Sequence, residues 1–271
     1  MTGTKCRPSF FSFIGYGMKS PVLNDPSREM VFQTEVPGWK RILDVAFILM
    51  ILPLVLPLAI VIALLIRRVS AGPILFRQER VGYLGRRFMC LKFRTMFVGA
   101  ETANHRAHLQ NLIKSDAPMV KLDAQGDARI IPFGGLLRSS GLDELPQLIN
   151  VLRGEMSLVG PRPCLPYECD SYLPWQRERF NTLPGLTGLW QVSGKNRTTF
   201  VEMMQMDIRY ARNKTLWWDL LIILKTFPAI LGQIAQARKK KRFCRRLDPG
   251  GSIIPNLNEP KNERITTWKQ K

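Results

Sequence analysis

Asp143 and Glu144 are adjacent acids at the head of LDELPQLINVLRGEMSLVGPRP (residues 142–163), a segment that closes on an arginine held between two prolines. Leu145, Leu148, Ile149 and Leu152 recur at helical spacing and mark the apolar stripe of a short helix. Pro146 fits within its first turn, where a missing donor costs nothing. The acids then stand at a helix N-terminus, whose dipole favours anions. There they can act as capping acids or as reactive carboxylates. Arg162 lies between Pro161 and Pro163 after Gly160, so its backbone is stiff and its guanidinium can pair bidentately with a phosphate. The plainer reading of Pro-Arg-Pro is a rigid turn with a solvated arginine. Arg138 shortly precedes Asp143, Asp127 and Arg129 lie further upstream, and Lys92 and Arg94 end an expected strand.

Several cations and two or three carboxylates, with no usable histidine, suit phosphoryl transfer. Cations and a divalent metal neutralise the charge developing on phosphate oxygens. A carboxylate can attack phosphorus and form an acyl phosphate, which splits one hard displacement into two. Mg²⁺ is the expected metal, because it takes oxygen ligands and shares its coordination with substrate phosphates. The two histidines, His105 and His108, sit together in a polar stretch, where a solvated helix is the ordinary reading and a metal pair the rarer one.

These residues must be positioned by the rest of a 271-residue chain, long enough for one domain with appendages. Its net charge of +19 points to a polyanionic partner: nucleic acid, an anionic membrane leaflet or phosphate-bearing substrates. Five scattered cysteines with no CxxC pair argue for a reducing compartment and against a disulfide framework or a zinc site.

Residues 1–39 read as an irregular leader without a signal peptide. Val45–Ile66 carries no charge and is long enough, at about 1.5 Å per residue, to cross a hydrocarbon core of roughly 30 Å. A single spanning helix is one reading. Pro53 and Pro57, one turn apart near the middle, predict a sharp bend. The basic flanks are balanced, Lys40 and Arg41 before and Arg67 and Arg68 after, whereas a spanning helix usually shows a bias. A helix that enters, breaks and returns over residues 40–70 fits better. Lys40 and Asp44 are spaced to pair on one face of it.

Residues 71–237 read as the cytoplasmic catalytic domain. Short strands are expected at Ile74–Arg77 and Phe88–Phe93, with a helix candidate between Tyr167 and Phe180 and a helix over TFVEMMQMDIRYARN. LWWDLLIILKTFPAIL is apolar, but Asp219 and Lys225 argue against a span; it suits a membrane interface through Trp217 and Trp218, or a core. Residues 238–271 read as a basic, disordered tail. The fold class expected is α+β, helix-dominated, with short strands rather than a large sheet.

In order along the chain, KRILD, QERVGYLGRRFMCLKFRTM, DARI, LLRSSGLDELPQLINVLRGEMSLVGPRP and PGLTGLWQVSGKN cover roughly residues 38–231. As an ordered set they resemble the bacterial sugar transferases, the monotopic polyprenyl-phosphate phosphoglycosyl transferases, and within these the undecaprenyl-phosphate galactose or glucose phosphotransferases of exopolysaccharide synthesis. The resemblance implies that Asp143 is the nucleophile toward the β-phosphate of a UDP-sugar, releasing UMP, and that undecaprenyl phosphate then takes the phosphosugar. It implies that Glu144 is the partner acid, that Asp143 and Glu144 hold Mg²⁺, and that Arg138, Arg162, Lys92, Arg94 and Arg129 hold phosphates. It places the chain at the bacterial inner membrane, catalytic domain inward, with anionic inner-leaflet lipids around it. Where the family's break often reads Ser-Pro, this chain has Leu52-Pro53, so a bend must come from the prolines.

A polyanion binder is the main rival, but no aromatics interleave with RKKKRFCRR as in a stacking platform, and nucleic acid is not expected as a partner. A non-catalytic scaffold of polysaccharide assembly is the other. A homodimer is compatible with the sequence.

Overall fold

The computed structural model describes residues 35–97, 129–194 and 198–247. Most of the leader, the polar stretch with Asp127 and both histidines, and the tail beyond residue 247 lie outside the described residues.

Helix α1, Gly38–Val69, is one element with both prolines inside it. Helical structure runs on through Pro53 and Pro57, although each removes one donor and crowds the preceding turn. Its burial is uneven. Lys40, Asp44 and Ile48 are buried near one end and Ile62 and Ile66 near the other. The residues between include Leu49, Met50, Leu52, Leu54, Leu56 and Ile60, all exposed, Leu54 by 77%.

Strands β1 (Leu75–Val81) and β2 (Arg87–Phe93) form an antiparallel hairpin in which Phe76 faces Lys92, Gln78 faces Cys90 and Val81 faces Arg87. After β2 the chain continues beside its return: Phe97 N donates to Arg129 O at 2.9 Å and Ile131 N to Thr95 O at 3.0 Å. Helix α2 (Gly134–Ser140) follows, then a 3-10 turn (Leu142–Glu144) and helix α3 (Gln147–Leu152). Next come β3 (Ser157–Val159), α4 (Pro166–Asp170), a 3-10 segment (Pro174–Asn181), β4 (Gly185–Thr187) and α5 (Leu189–Val192). Thr199 and Glu202 form a capping box at the start of α6 (Phe200–Asn213). Helix α7 runs Leu216–Leu247. The first ten residues of the expected basic tail thus belong to a helix, since Lys and Arg are good helix formers and the first proline beyond Pro228 is Pro249.

Among the described residues the strands form two two-stranded pairs, and β3 pairs with β4 in parallel. That crossing is tight: a Cβ on Gly185 would sit 2.1 Å from Gly160 N, and one on Gly160 would sit 2.2 Å from Leu183 O. Only glycine allows these backbones to meet. Three apolar clusters hold the elements together. Ile48 of α1, Val151, Val159, Tyr210 and Ile222 form one, and Ile62, Ile66, Phe93, Ile131 and Leu137 form another. Val81, Cys164, Tyr172, Phe180, Trp190 and Met204 belong to the third. Both ends of α1 are thus built into the same compact unit, Thr34–Lys271.

Polar contacts fix these ends. Lys40 does not pair with Asp44; its Nζ donates to Asp219 Oδ2 (2.6 Å), Tyr210 Oη (2.8 Å) and Val159 O (2.8 Å). Asp44 instead accepts from Ser157 Oγ (3.0 Å) and Leu158 N (2.9 Å). An i,i+4 pair on an open face is worth only about 0.2–0.5 kcal/mol, so the buried partners win. Arg41 caps α3 by donating to the carbonyls of Val151 and Leu152.

Helix α3 also departs from its apolar spacing. Its buried residues are Gln147, Asn150 and Val151, while Ile149 and Leu152 are exposed by 42% and 41%. Asn150 decides the face: Oδ1 accepts from Leu91 N (3.0 Å) and Nδ2 donates to Met89 O (2.8 Å). It completes the free edge of β2, which would otherwise bury unpaired backbone groups.

Candidate active site

Gly141, at φ +74°, turns the chain out of α2 and into the 3-10 turn that carries Asp143 and Glu144. The acids therefore stand on their own turn rather than inside the first turn of α3, and Pro146 is the cap residue before α3 rather than its first helical residue. Both are partly buried. Glu144 Oε1 accepts from Lys92 Nζ at 2.6 Å, which joins the turn to β2. Arg138 lies in the last turn of α2, and Arg129 leads into Ile130, which bridges to Met96 just beyond β2. Asp143, Glu144, Lys92, Arg138 and Arg129 thus all sit on elements that meet at one end of the hairpin.

The hairpin supplies the floor. Directly opposed residues share a face, so Gln78, Arg80, Cys90 and Lys92 line one side. Burial raises the Cys90 thiol, and the charges acting on it are Lys92, Arg80, Glu144 and Arg162. The acid turn and the Pro-Arg-Pro loop therefore look onto the same strand face.

That loop is held by more than its prolines. Gly185 N donates to Pro161 O (2.8 Å), Arg179 Nη2 to Arg162 O (2.7 Å), Arg80 Nη1 to Pro163 O (3.1 Å) and Val81 N to Cys164 O (2.9 Å). Four successive carbonyls are bonded, two of them to buried arginines. Arg80 is also bonded to Gln78 Oε1 (2.6 Å); burial and the adjacent Arg162 guanidinium lower its pKa. Arg162 itself is partly exposed and lines a cleft with Gly82, Arg179 and Thr182. Two neighbouring guanidinium groups repel one another, which makes the cleft attractive to an anion.

Arg94 belongs elsewhere. It is 6% exposed and donates to Ala71 O (2.8 Å) and Ser70 O (2.7 Å), closing the end of α1. Its terminal nitrogens serve the fold, which removes it from the phosphate-binding set. Arg80, Gln78, Arg179 and Asp207 were not singled out from the sequence. Strand alternation from Lys92 would have reached Arg80 and Gln78 had the register been known; Arg179 and Asp207 carry no local signal.

Two adjacent carboxylates fit Mg²⁺, which protein sites bind through one or two carboxylates while substrate phosphates and water complete the shell. Among the described residues no group of three or more His, Cys, Asp or Glu side chains converges as a closed metal cage.

The model of the bacterial sugar transferase family matches residues 36–233. The chain belongs to that family. It is 39% identical over 198 residues to the UDP-galactose-lipid carrier transferase of Erwinia amylovora, covering 71% of this chain and 40% of that protein. It is 37% identical over 191 residues to the exopolysaccharide production protein ExoY of Sinorhizobium fredii, covering 70% and 84%. With the UDP-glucose:undecaprenyl-phosphate glucose-1-phosphate transferase of Caulobacter vibrioides it shares 42% over 200 residues, covering 71% and 69%. The chain thus aligns with about two fifths of the Erwinia protein and with most of the other two. The site residues Lys92, Arg129, Arg138, Asp143, Glu144 and Arg162 all fall inside the matched region.

Proposed function

We propose that this sugar transferase moves a hexose 1-phosphate from a UDP-sugar to undecaprenyl phosphate, releasing UMP, as the first membrane step of an exopolysaccharide repeat. The observation that carries the reading is the Asp143–Glu144 turn, set against Lys92 on the same cationic strand face that the Arg162 loop overlooks. The names of the Erwinia and Caulobacter relatives give the donor and acceptor classes.

The Asp143 carboxylate attacks the β-phosphorus, the bond from that phosphorus to the bridging oxygen breaks, and UMP departs with the electron pair. An oxygen of the lipid phosphate then attacks the phosphorus, the acyl-phosphate bond breaks, and the Asp143 carboxylate is restored. Lys92 holds Glu144 in place and adds positive charge; Arg162 holds a phosphate oxygen, with Arg138 and Arg129 as further cations. Mg²⁺, held by Asp143 and Glu144, would supply charge neutralisation on the phosphates.

Geometry also supports the re-entrant reading of α1. Both its ends pack on one body, the prolines fall in its exposed middle, and Arg67 and Arg68 lie exposed in its last turn, suited to anionic headgroups. Single cysteines at Glu35 and at Arg68, in a background without the native cysteines, are expected to react with an impermeant maleimide only from the cytoplasmic side of inverted vesicles. Labelling of the two from opposite sides would establish a span.

The reaction itself is tested with purified protein, undecaprenyl phosphate, Mg²⁺ and a panel of UDP-sugars. UMP release with at least one donor, dependent on lipid phosphate for sustained turnover, is the expected result. No UMP from any donor would leave a scaffold as the better reading.

A further inference from the structure

The two prolines stiffen the backbone of Arg162 but leave its side chain free to rotate about four bonds. A guanidinium that must meet a phosphate from one direction needs partners of its own. The surrounding charges come from three elements. Arg80 reaches the loop from β1, donating to Pro163 O at 3.1 Å; burial first and then repulsion by Arg162 lower its pKa. Arg179, on the second 3-10 segment, donates to the Arg162 carbonyl at 2.7 Å and to Tyr172 Oη at 2.8 Å. Asp207, on α6, lies against Arg179 and attracts Arg162 more weakly.

Asp207 is 1% exposed, and its Oδ2 lies 2.7 Å from Arg179 Nη2. That contact lacks hydrogen-bond geometry, and among the described residues Oδ2 has no hydrogen bond. Burial pushes the carboxyl up to about 6, against the pull of Arg179 and then Arg162. A buried carboxylate with spare acceptor capacity costs free energy. Neutralising Arg179 alone would be better done by an oxygen aligned with its N–H. The spare oxygen has one other cation within electrostatic reach, the Arg162 guanidinium.

We infer that Asp207 is a positioning residue: together with Arg179 it orients the Arg162 guanidinium toward the site, and it affects the transfer only through Arg162. The inference rests on the phosphate-binding role proposed for Arg162. Attraction from Asp207 and repulsion from Arg80 act on one guanidinium from different elements, so it has one preferred direction. The competing account is that Asp207 serves only as counter-ion for buried Arg179.

A double-mutant cycle separates the two. In the full chain in detergent, Asp207→Asn is expected to raise the UDP-sugar KM about tenfold, the size of one lost charge-assisted interaction. In an Arg162→Gln background the same substitution should change KM by less than about twofold. Equal losses in both backgrounds would show a fold-only role and overturn the inference. Arg179→Lys, which removes the donor to the Arg162 carbonyl, should show the same non-additivity and serves if Asp207→Asn does not fold. A readout independent of turnover is phenylglyoxal modification mapped by mass spectrometry. Arg162 should react several-fold faster in Asp207→Asn or Arg179→Lys than in wild type, with exposed Arg153 unchanged as control. Unchanged Arg162 reactivity would sink the inference. If the wild-type protein released no UMP from any donor, the proposed function would fail, and the labelling would still decide whether Asp207 orients Arg162.

Discussion

Asp143→Asn is expected to abolish UMP release, with a loss of at least ~10³-fold, equivalent to about 4 kcal/mol in activation free energy. A carboxamide keeps the size and the hydrogen-bonding reach of the side chain but cannot displace UMP. The turn is set by Gly141 and by the Glu144–Lys92 pair, neither of which the substitution touches, so the variant should fold as wild type. A donor labelled in its β-phosphate, mixed with wild-type enzyme without lipid acceptor, should leave label on the protein after acid quench and lose it to hydroxylamine. Asp143→Asn should carry none. A variant that still releases UMP at wild-type rate would remove Asp143 from the nucleophile's role and favour direct attack by the lipid phosphate. Glu144→Gln should cost less, roughly 10- to 100-fold, because in the proposed mechanism Glu144 acts through Lys92 and would help hold Mg²⁺ but makes no bond to phosphorus.

The largest stability effect is expected at Lys40. Its ammonium and the Asp219 carboxylate are both fully buried, 2.6 Å apart, and Tyr210 Oη donates to Asp219 Oδ1 at 2.6 Å. Replacing Lys40 by Met leaves Asp219 buried without its counter-charge, which typically costs 3–5 kcal/mol. For a chain of this size that lowers the thermal midpoint by about 6–20 °C. Adding Asp219→Leu should restore much of the loss, since an apolar pair of similar volume is often neutral. Thermal unfolding of wild type, Lys40→Met and the double variant in one detergent measures this. A Lys40→Met cost below about 1 kcal/mol would mean that the pair is hydrated, contrary to its burial. Lys40 also holds the carbonyl of Val159, next to the Gly160–Pro163 loop, so the fastening of α1 and the geometry of the site share one cluster.

Local chemistry made much of this protein legible. The uncharged run between basic flanks was legible as a long apolar helix, and among the described residues its middle stays exposed, as a membrane-associated helix would be. The short β-like pieces marked β2 closely but only the start of β1, which runs on to Val81, and the Thr199–Glu202 capping box started α6 where TFVEMMQMDIRYARN was expected to be helical. The paired acids and the Pro-Arg-Pro arginine stood out because residue type and spacing are features of a few neighbours in the chain.

What failed depended on partners far away in sequence. Ile149 and Leu152 of the apolar stripe turned outward because Asn150 was needed at the edge of β2, while Leu145 and Leu148 still pack on the core; a hydrogen-bond debt cannot be read from helical spacing. Lys40 passed over Asp44, four residues along, for Asp219, far along the chain, because burial multiplies the value of an exact ion-pair geometry. Arg94 looked like Lys92's companion in the site, because residues two apart on a strand share a face, yet β2 ends at Phe93: Lys92 reaches Glu144, while Arg94, just past the strand, turns to the end of α1. The sequence by itself determined which residues had the chemistry for phosphoryl transfer and where the chain would leave water. Only the tertiary structure decided which of the cations reach the site, because side-chain direction follows from strand register and from the long-range pairs that lock it.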